Sequence, residues 1–261
     1  MPIKYSIFTK PWKNESAEEL AALVKGLGFD GVEFPLRDGY QVEPKSASTD
    51  LPKLAQLLDG YGIGIFSVAS TAEENVFEAC AAAKVPVIRI MLKADLKKGY
   101  MACEDEWKSY LSGLLPLCEK YGVKVAVQHH YGPGVNNSME LRHLLEGFPP
   151  ALVGGIWDAA HSGLAGEEPE QGLDIAWSHL AMVNFKNAFY RRATEIEADI
   201  ANYEPYFTTG KKGACDWKRA SDYLKARRYS GVICLPAEYT DEANTGAYVR
   251  EDLAYLKSLM A

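Results

Sequence analysis

Two stretches decide the fold of this 261-residue chain: Lys124-Val125-Ala126-Val127-Gln128-His129-His130 and Gly154-Gly155-Ile156-Trp157-Asp158-Ala159-Ala160-His161. Each is a short apolar run that stops abruptly at ionisable or amide side chains. The apolar residues are continuous rather than alternating, as in strands covered on both faces, which is the usual state of parallel strands. Six further strand-like runs, most of the eight being continuous and rich in Val and Ile, are Ile3–Phe8, Gly31–Phe34, Gly64–Val68, Val87–Met91, Met182–Lys186 and Gly231–Leu235.

Amphipathic segments separate these runs. Ser16 with Glu19 three residues on is a capping box, Leu20, Leu23, Val24 and Leu27 form the stripe, and Gly28 closes the helix. Further helices are expected at Leu51–Tyr61, Ala72–Ala83, Glu104–Tyr121, Ser138–Glu146, Gln171–Leu180, Trp217–Arg227 and Gly246–Met260. Strand-then-helix alternation means parallel strands with crossover helices. Eight such units of about 33 residues suit a single (β/α)8 TIM barrel in the α/β class, one domain over residues 1–261. A doubly wound sheet would carry a Gly-rich phosphate turn after an early strand, but Gly26-Leu27-Gly28 closes a helix instead. The long excursions Arg37–Asp50 and Tyr190–Asp216 are then loops on the C-terminal face, where barrel active sites lie.

Composition agrees. Hydrophobic residues are 48% and charged residues 24%, enough for a sizeable core. A net charge of −7 disfavours nucleic acid as a partner. No apolar run is long enough to span a membrane. Met1-Pro2-Ile3-Lys4 carries no secretory segment, and the five Cys form no CxxC pair. Reduced thiols and a cytoplasmic location are expected. Barrels of this type often pair through their outer helices, so a homo-oligomer is an open expectation.

If active sites lie at strand ends, function belongs to Glu33, Arg89, Gln128, His129, His130, Asp158, His161, Asn184, Lys186, Glu238 and Tyr239. Gln128, Asp158, Asn184 and Glu238 stand at comparable heights and offer two carboxylates and two amide oxygens. Such hard donors suit Mn2+ or Mg2+, weakly held, with Zn2+ or Co2+ as alternates. The competing reading is a hydrogen-bonded polar ring without metal. Trp12 and Tyr239 are candidate pocket walls, and Lys10, Lys13 and Arg37 could meet an anion. His143 and His179 are read as structural, and Glu73, Glu74, Glu167 and Glu168 as solvated surface.

Gly28-Phe29-Asp30-Gly31-Val32-Glu33, Gln128-His129-His130, Asp158-Ala159-Ala160-His161, Asn184-Phe185-Lys186-Asn187 and Glu238, in this order, resemble the xylose isomerase-like TIM-barrel superfamily of sugar phosphate isomerases and epimerases. Its members include ketose 3-epimerases, hydroxypyruvate isomerases, inosose dehydratases and family-2 AP endonucleases. The resemblance implies a metal held by the ends of the fifth to eighth strands, where the epimerases carry Glu, Asp, His and Glu. The matching residues are Gln128, Asp158, Asn184 and Glu238. Two depart: Gln removes a charge and Asn removes an imidazole. Gln128 also cannot serve as a base, which sets the chain apart from two-base epimerisation.

The expected activity is a metal-dependent isomerase or epimerase of sugars, sugar phosphates or keto-sugars, acting through an enediolate. Glu238 or His130 would take the proton, while Lys186 and His161 would hold the oxyanion. Glu33, Arg89, Trp12, His161 and Tyr239 would bind substrate. A keto-sugar or inosose dehydratase or lyase shares the same first step and is the alternative. A reading of another class is a carbohydrate-binding relic with a degraded metal site.

Overall fold

The computed structural model describes residues 2–261, so that Met1 lies outside the described residues. Eight parallel strands close into a barrel: β1 (Lys4–Phe8), β2 (Gly31–Pro35), β3 (Gly64–Ala69), β4 (Val87–Ile90), β5 (Lys124–Gln128), β6 (Val153–Asp158), β7 (Leu180–Asn184) and, last in the chain, β10 (Val232–Leu235), which pairs with both β7 and β1. The eight expected runs are the eight barrel strands. The fifth and seventh end earlier than expected, so His129, His130 and Lys186 stand just beyond the strands, on the rim.

Alternation along each strand sorts the side chains. One set points outward under the helices: Ile7, Val32, Val68, Ile88, Val125, Val127, Trp157, Val183 and Ile233 are all buried in the main apolar cluster. The other set fills the barrel, where Phe8, Ala69, Ala126, Ile156, Met182 and Cys234 make a second, small cluster. The interior layer nearest the C-terminal face is polar and still buried: Glu33, Arg89, Gln128, Asp158 and Asn184. Register sets Phe8 opposite Glu33, Ala69 opposite Arg89, and Asp158 opposite Asn184.

The outer helices are α1 (Ala17–Leu27), α2 (Ala47–Gly60), α3 (Glu74–Ala82), α4 (Tyr100–Tyr121), α5 (Ser138–Leu145), α6 (Ala159–Leu164), α7 (Pro169–Ala176), α8 (Trp217–Ala226) and α9 (Thr245–Met260). The capping box on α1 is complete: Glu19 N–H donates to Ser16 Oγ and Ser16 N–H to Glu19 Oε2. Gly28 closes the helix at φ 85°, in the left-handed region that favours glycine. The sixth helix differs from expectation. Asp158 caps an additional short α6 through the N–H groups of Ala160 and His161, and the expected helix over Gln171–Leu180 follows as α7 and a 3-10 turn at Trp177–His179. Glu167, read as solvated surface, instead accepts hydrogen bonds from Ser138 and Ser162 and ties α5 to α6. His143 pairs with Glu104, and His179 bonds Ser178 and the Phe148 carbonyl, as structural histidines would.

The excursion after β7 is not a loop. β8 (Asn187–Arg192) and β9 (Tyr203–Thr208) form an antiparallel hairpin standing on the C-terminal face. The side chain of Asn187 stitches its two feet together. Its Nδ2 donates to the Gly210 and Cys215 carbonyls, and its Oδ1 accepts from Cys215 and Ala188 N–H. The returning chain passes so close that a Cβ on Gly213 would lie 2.0 Å from Asn187 Oδ1, which leaves room only for glycine. Among the described residues no helix is long and apolar enough to cross a membrane.

Asp252 on α9 is buried and accepts from Gly210 N–H at 2.8 Å and Tyr239 Oη at 2.9 Å. Burial pushes its carboxyl up from 3.8 to about 6. A raised folded-state value favours the protonated fold fully below the unfolded value, and that contribution is lost as pH rises through the folded value. Asp252→Asn should therefore gain on the wild type as pH rises from about 4 to about 6, by on the order of 1–3 kcal/mol in urea unfolding. An unfolding gap that does not change across that window would show that this carboxyl is not the titrating group.

Candidate active site

Three buried or half-buried carboxylates meet at the barrel mouth, and each has a cation against it. On β2 and β4, Arg89 Nε donates to Glu33 Oε1 at 2.8 Å, in a pair almost wholly out of water. Ser67 donates to the same oxygen, and the Arg89 guanidinium lies 4.7 Å from the centroid of the Phe8 ring. At the far wall, Glu238 lies between two lysines: Lys10 Nζ is 2.6 Å from Oε1 and Lys186 Nζ is 2.9 Å from Oε2. Lys186 Nζ is also 3.9 Å from Asp158 Oδ2 and 5.0 Å from the centroid of the Phe207 ring.

The amides join these pairs into one network. Arg89 Nη1 donates to Gln128 Oε1, and Gln128 Nε2 donates to Asp158 Oδ2 at 2.7 Å. A guanidinium has no lone pair to offer, so it fixes which way the Gln128 amide faces. Asn184 Nδ2 donates to the same Asp158 oxygen at 3.3 Å. The other oxygen, Oδ1, is held by the α6 cap.

The sequence named these residues but not their engagements with one another. Gln128, Asp158, Asn184 and Glu238 do come together. Of their oxygens, those of Gln128, Asp158 and Glu238 accept from protein donors. Only Asn184 Oδ1 has no partner. Among the described residues no three His, Cys, Asp or Glu side chains group as a metal site.

The histidines divide by role. His129 Nε2 accepts the Asp158 backbone N–H at 2.8 Å and Nδ1 faces the Asn136 carbonyl, so this ring is a neutral strut. His130 Nδ1 lies 3.0 Å from the Tyr131 carbonyl. That carbonyl can only accept, so Nδ1 carries the proton and Nε2 keeps the basic lone pair. Burial and the Lys186 charge lower the pKa of His130 below the ordinary histidine value. His161 is buried against His130, ring centroids 4.0 Å apart, and neither of its nitrogens has a partner. Burial, then Lys186, keep it neutral. For Glu238, burial acts upward, but the two lysines outweigh it and hold the carboxyl far below the usual carboxylate range. Glu238 is therefore a poor base as it stands.

Two connected spaces open here. A deep recess of about 70 Å3 is lined by Glu33, Arg89, Gln128, Asn184 and Lys186 among others. A broad cleft of about 840 Å3 lies above it, walled by Trp12, Tyr40, Tyr131, Phe207 and Tyr239. Lys10, His130, Lys186 and Glu238 line both. Trp12 and Tyr239 take the expected wall positions, although the Tyr239 hydroxyl is spent on Asp252. Glu33 and Arg89 sit in the recess but bind each other first. Lys13 lines neither space. Sequence reasoning missed Tyr131 and Phe207. Apolar residues in the Tyr203–Thr208 stretch were the available signal for the hairpin that brings Phe207 over Lys186.

A family model described as xylose isomerase-like TIM barrel matches residues 21–259. The chain is 29% identical over 143 residues to an inosose dehydratase of Lactiplantibacillus plantarum, covering 52% of this chain and 48% of the relative. It is 26% identical over 166 residues to one of Lacticaseibacillus casei, covering 60% and 56%. The matches thus span about half the length of these curated relatives. Among solved structures, the probable 3-DHS dehydratase AsbF from Bacillus anthracis superposes with a TM-score of 0.74 at 15% identity, covering 97% of this chain and 98% of its own. The 3-keto-D-glucoside 4-epimerase YcjR from E. coli gives 0.73 at 15% identity, covering 98% and 99%. The IolI protein, solved with a zinc atom, gives 0.72 at 16% identity, covering 98% and 96%. At these identities the superpositions speak for the fold.

Removing one partner of a buried ion pair leaves the other charge unpaired, at a cost of about 3–5 kcal/mol. Arg89→Met should lower unfolding stability by that order, and Glu33→Gln added to it should recover most of the loss. Additive losses in the double-mutant cycle would mean the pair is not coupled.

Proposed function

Since the chain belongs to the xylose isomerase-like TIM-barrel family, we propose that it is an enzyme that enolises a keto-sugar or keto-polyol and then expels a β-hydroxyl as water. The observation that carries this is the pairing of one neutral imidazole base, His130, with a buried ammonium, Lys186, on the wall of the same cleft. The inosose dehydratases among the relatives support the elimination outcome.

His130 Nε2 takes the proton from the carbon next to the carbonyl. The C–H electron pair moves into the carbonyl, giving an enolate whose oxygen Lys186 stabilises. As the carbonyl re-forms, the enolate pair expels the β-hydroxyl, which takes the proton from the His130 imidazolium and leaves as water. Atoms balance as substrate to unsaturated ketone plus water. The aromatic walls Trp12, Tyr131 and Phe207 suit the C–H face of a sugar ring, and the unpartnered Asn184 Oδ1, on the wall of the recess, suits a hydroxyl, whereas His161, expected to touch substrate, is fully buried and lines neither space.

A second reading, isomerisation, is favoured by the same lone base. His130 can return its proton to the neighbouring carbon of an enediolate without a second group. Two-base epimerisation has no such support, because Gln128 is not a base and Glu238 is clamped. The proposal keeps the protein in a reducing compartment, consistent with five free, buried cysteines.

Solvent-deuterium exchange followed by NMR over a panel of keto-sugars and inososes tests the reading. Exchange at a C–H beside the carbonyl is expected. Its absence across a panel that binds would leave a carbohydrate-binding protein. His130→Asn should slow exchange about 10²–10⁴-fold, the usual worth of a general base, with an unchanged fold by circular dichroism. Because the base must be unprotonated and its pKa is lowered from 6.5, the wild-type rate should fall only on the acid side of that value. A rate that instead falls above neutrality would assign the proton transfer to another group.

A further inference from the structure

Isomerising and eliminating barrels need positive charge where the oxyanion forms, and a divalent ion held by three or more oxygen or nitrogen donors is one way to supply it. The corresponding place in this chain, between Asp158 and Glu238, is taken by a side chain. Lys186 Nζ sits 2.9 Å from Glu238 Oε2 and 3.9 Å from Asp158 Oδ2, buried, beneath the Phe207 ring. The two amides that should complete a ligand set are turned to the opposite task. Gln128 and Asn184 both aim N–H donors at Asp158, and Arg89 locks the Gln128 amide in that sense. Turning it over would set its NH2 against a guanidinium, donor against donor.

Charge gives an independent argument. Glu33, Asp158 and Glu238 are the carboxylates of the mouth, and Arg89, Lys186 and Lys10 are the cations within 4 Å of them. These three pairs cancel, and Arg37 lines the same recess, so no net negative charge is left for an ion to balance. A divalent ion added to the set would leave two uncompensated positive charges in a largely buried place, which is costly.

We propose that the Lys186 ammonium is the resident cation of this site, standing where a divalent metal would stand, and that it meets the substrate oxyanion directly. Glu238 is then its counter-ion, with Lys10 beside it, rather than a metal ligand or base. The role of Lys186 toward the oxyanion rests on the enolisation reading. Its role as replacement cation does not.

Chelator-treated full-length protein is titrated with Mn2+ alone, followed by electron paramagnetic resonance of the free ion. Wild type should bind no ion below about 1 mM. Lys186→Met, which leaves Asp158 and Glu238 facing each other without their ammonium, should gain Mn2+ affinity at least about tenfold. Wild type that binds about one equivalent at micromolar Mn2+, or a Lys186→Met protein that folds and gains nothing, overturns the proposal. If Lys186→Met does not fold, thermal unfolding of wild type with and without 1 mM Mn2+ decides: about no shift is expected, and a rise of several degrees refutes it. Separately, exchange by wild type should be indifferent to chelator, and Lys186→Met should lose about 10²–10³-fold in kcat, more than in KM, with Lys186→Arg recovering part of it. Exchange that stops with chelator and returns with Mn2+ also overturns the proposal. Absence of exchange on every compound removes the enolisation reading, while the Mn2+ titration still decides what holds the place between Asp158 and Glu238.

Discussion

Closure of eight parallel strands imposes one constraint from which the rest follows. Every second side chain must enter an interior with no access to helices or bulk water. Deep in the barrel this space is filled by small or flexible apolar groups such as Ala69, Ala126, Met182 and Cys234. One layer higher, the same alternation sends Glu33, Arg89, Gln128, Asp158 and Asn184 inward. Polar groups so enclosed must satisfy one another or pay for desolvation. The resulting network runs unbroken from Ser67 through Glu33, Arg89, Gln128 and Asp158 to Asn184.

That network supplies what residue types alone leave open. Two acids and two amides at strand ends read as a hard-donor site, and their placement is as read. What decides their chemistry is Arg89, one strand away, which turns Gln128 from an oxygen donor toward the mouth into an N–H donor toward Asp158. The other deciding group is Lys186, which sits two residues past the end of β7 because that strand stops at Asn184. Interaction partners of this kind depend on distances of a few tenths of an ångström. No spacing in the sequence encodes them.

The fold itself was far more legible. Short apolar runs, most of them continuous and rich in Val and Ile, marked all eight barrel strands, since burial on both faces leaves that imprint on composition. The capping box and Gly28 gave the ends of α1 within a residue. Less legible were the places where local polar bonds compete with the periodic pattern. Asp158 ends a strand and caps a helix at once, which adds the short α6 ahead of the expected sixth helix. Glu167 looks like a surface charge next to Glu168, but Ser138 and Ser162 draw it inward. The β8–β9 hairpin escaped because its strands stand clear of the barrel and carry few fully buried side chains, so burial left little imprint on their sequence.

The Asn187 clamp has a consequence for how such a protein can change over generations. One amide, in four hydrogen bonds, fastens both feet of the hairpin to the rim at the level of Ala188, Gly210 and Cys215. Beyond those feet the two hairpin strands pair with each other, and Phe207 bonds Thr240 past the last barrel strand. Lengthening a closed segment costs little, about 0.6 kcal/mol for each doubling. The hairpin therefore behaves as an exchangeable cartridge: its length and its aromatic lining can be rewritten for a differently shaped molecule while the chemistry below, fixed by the strands, is inherited unchanged.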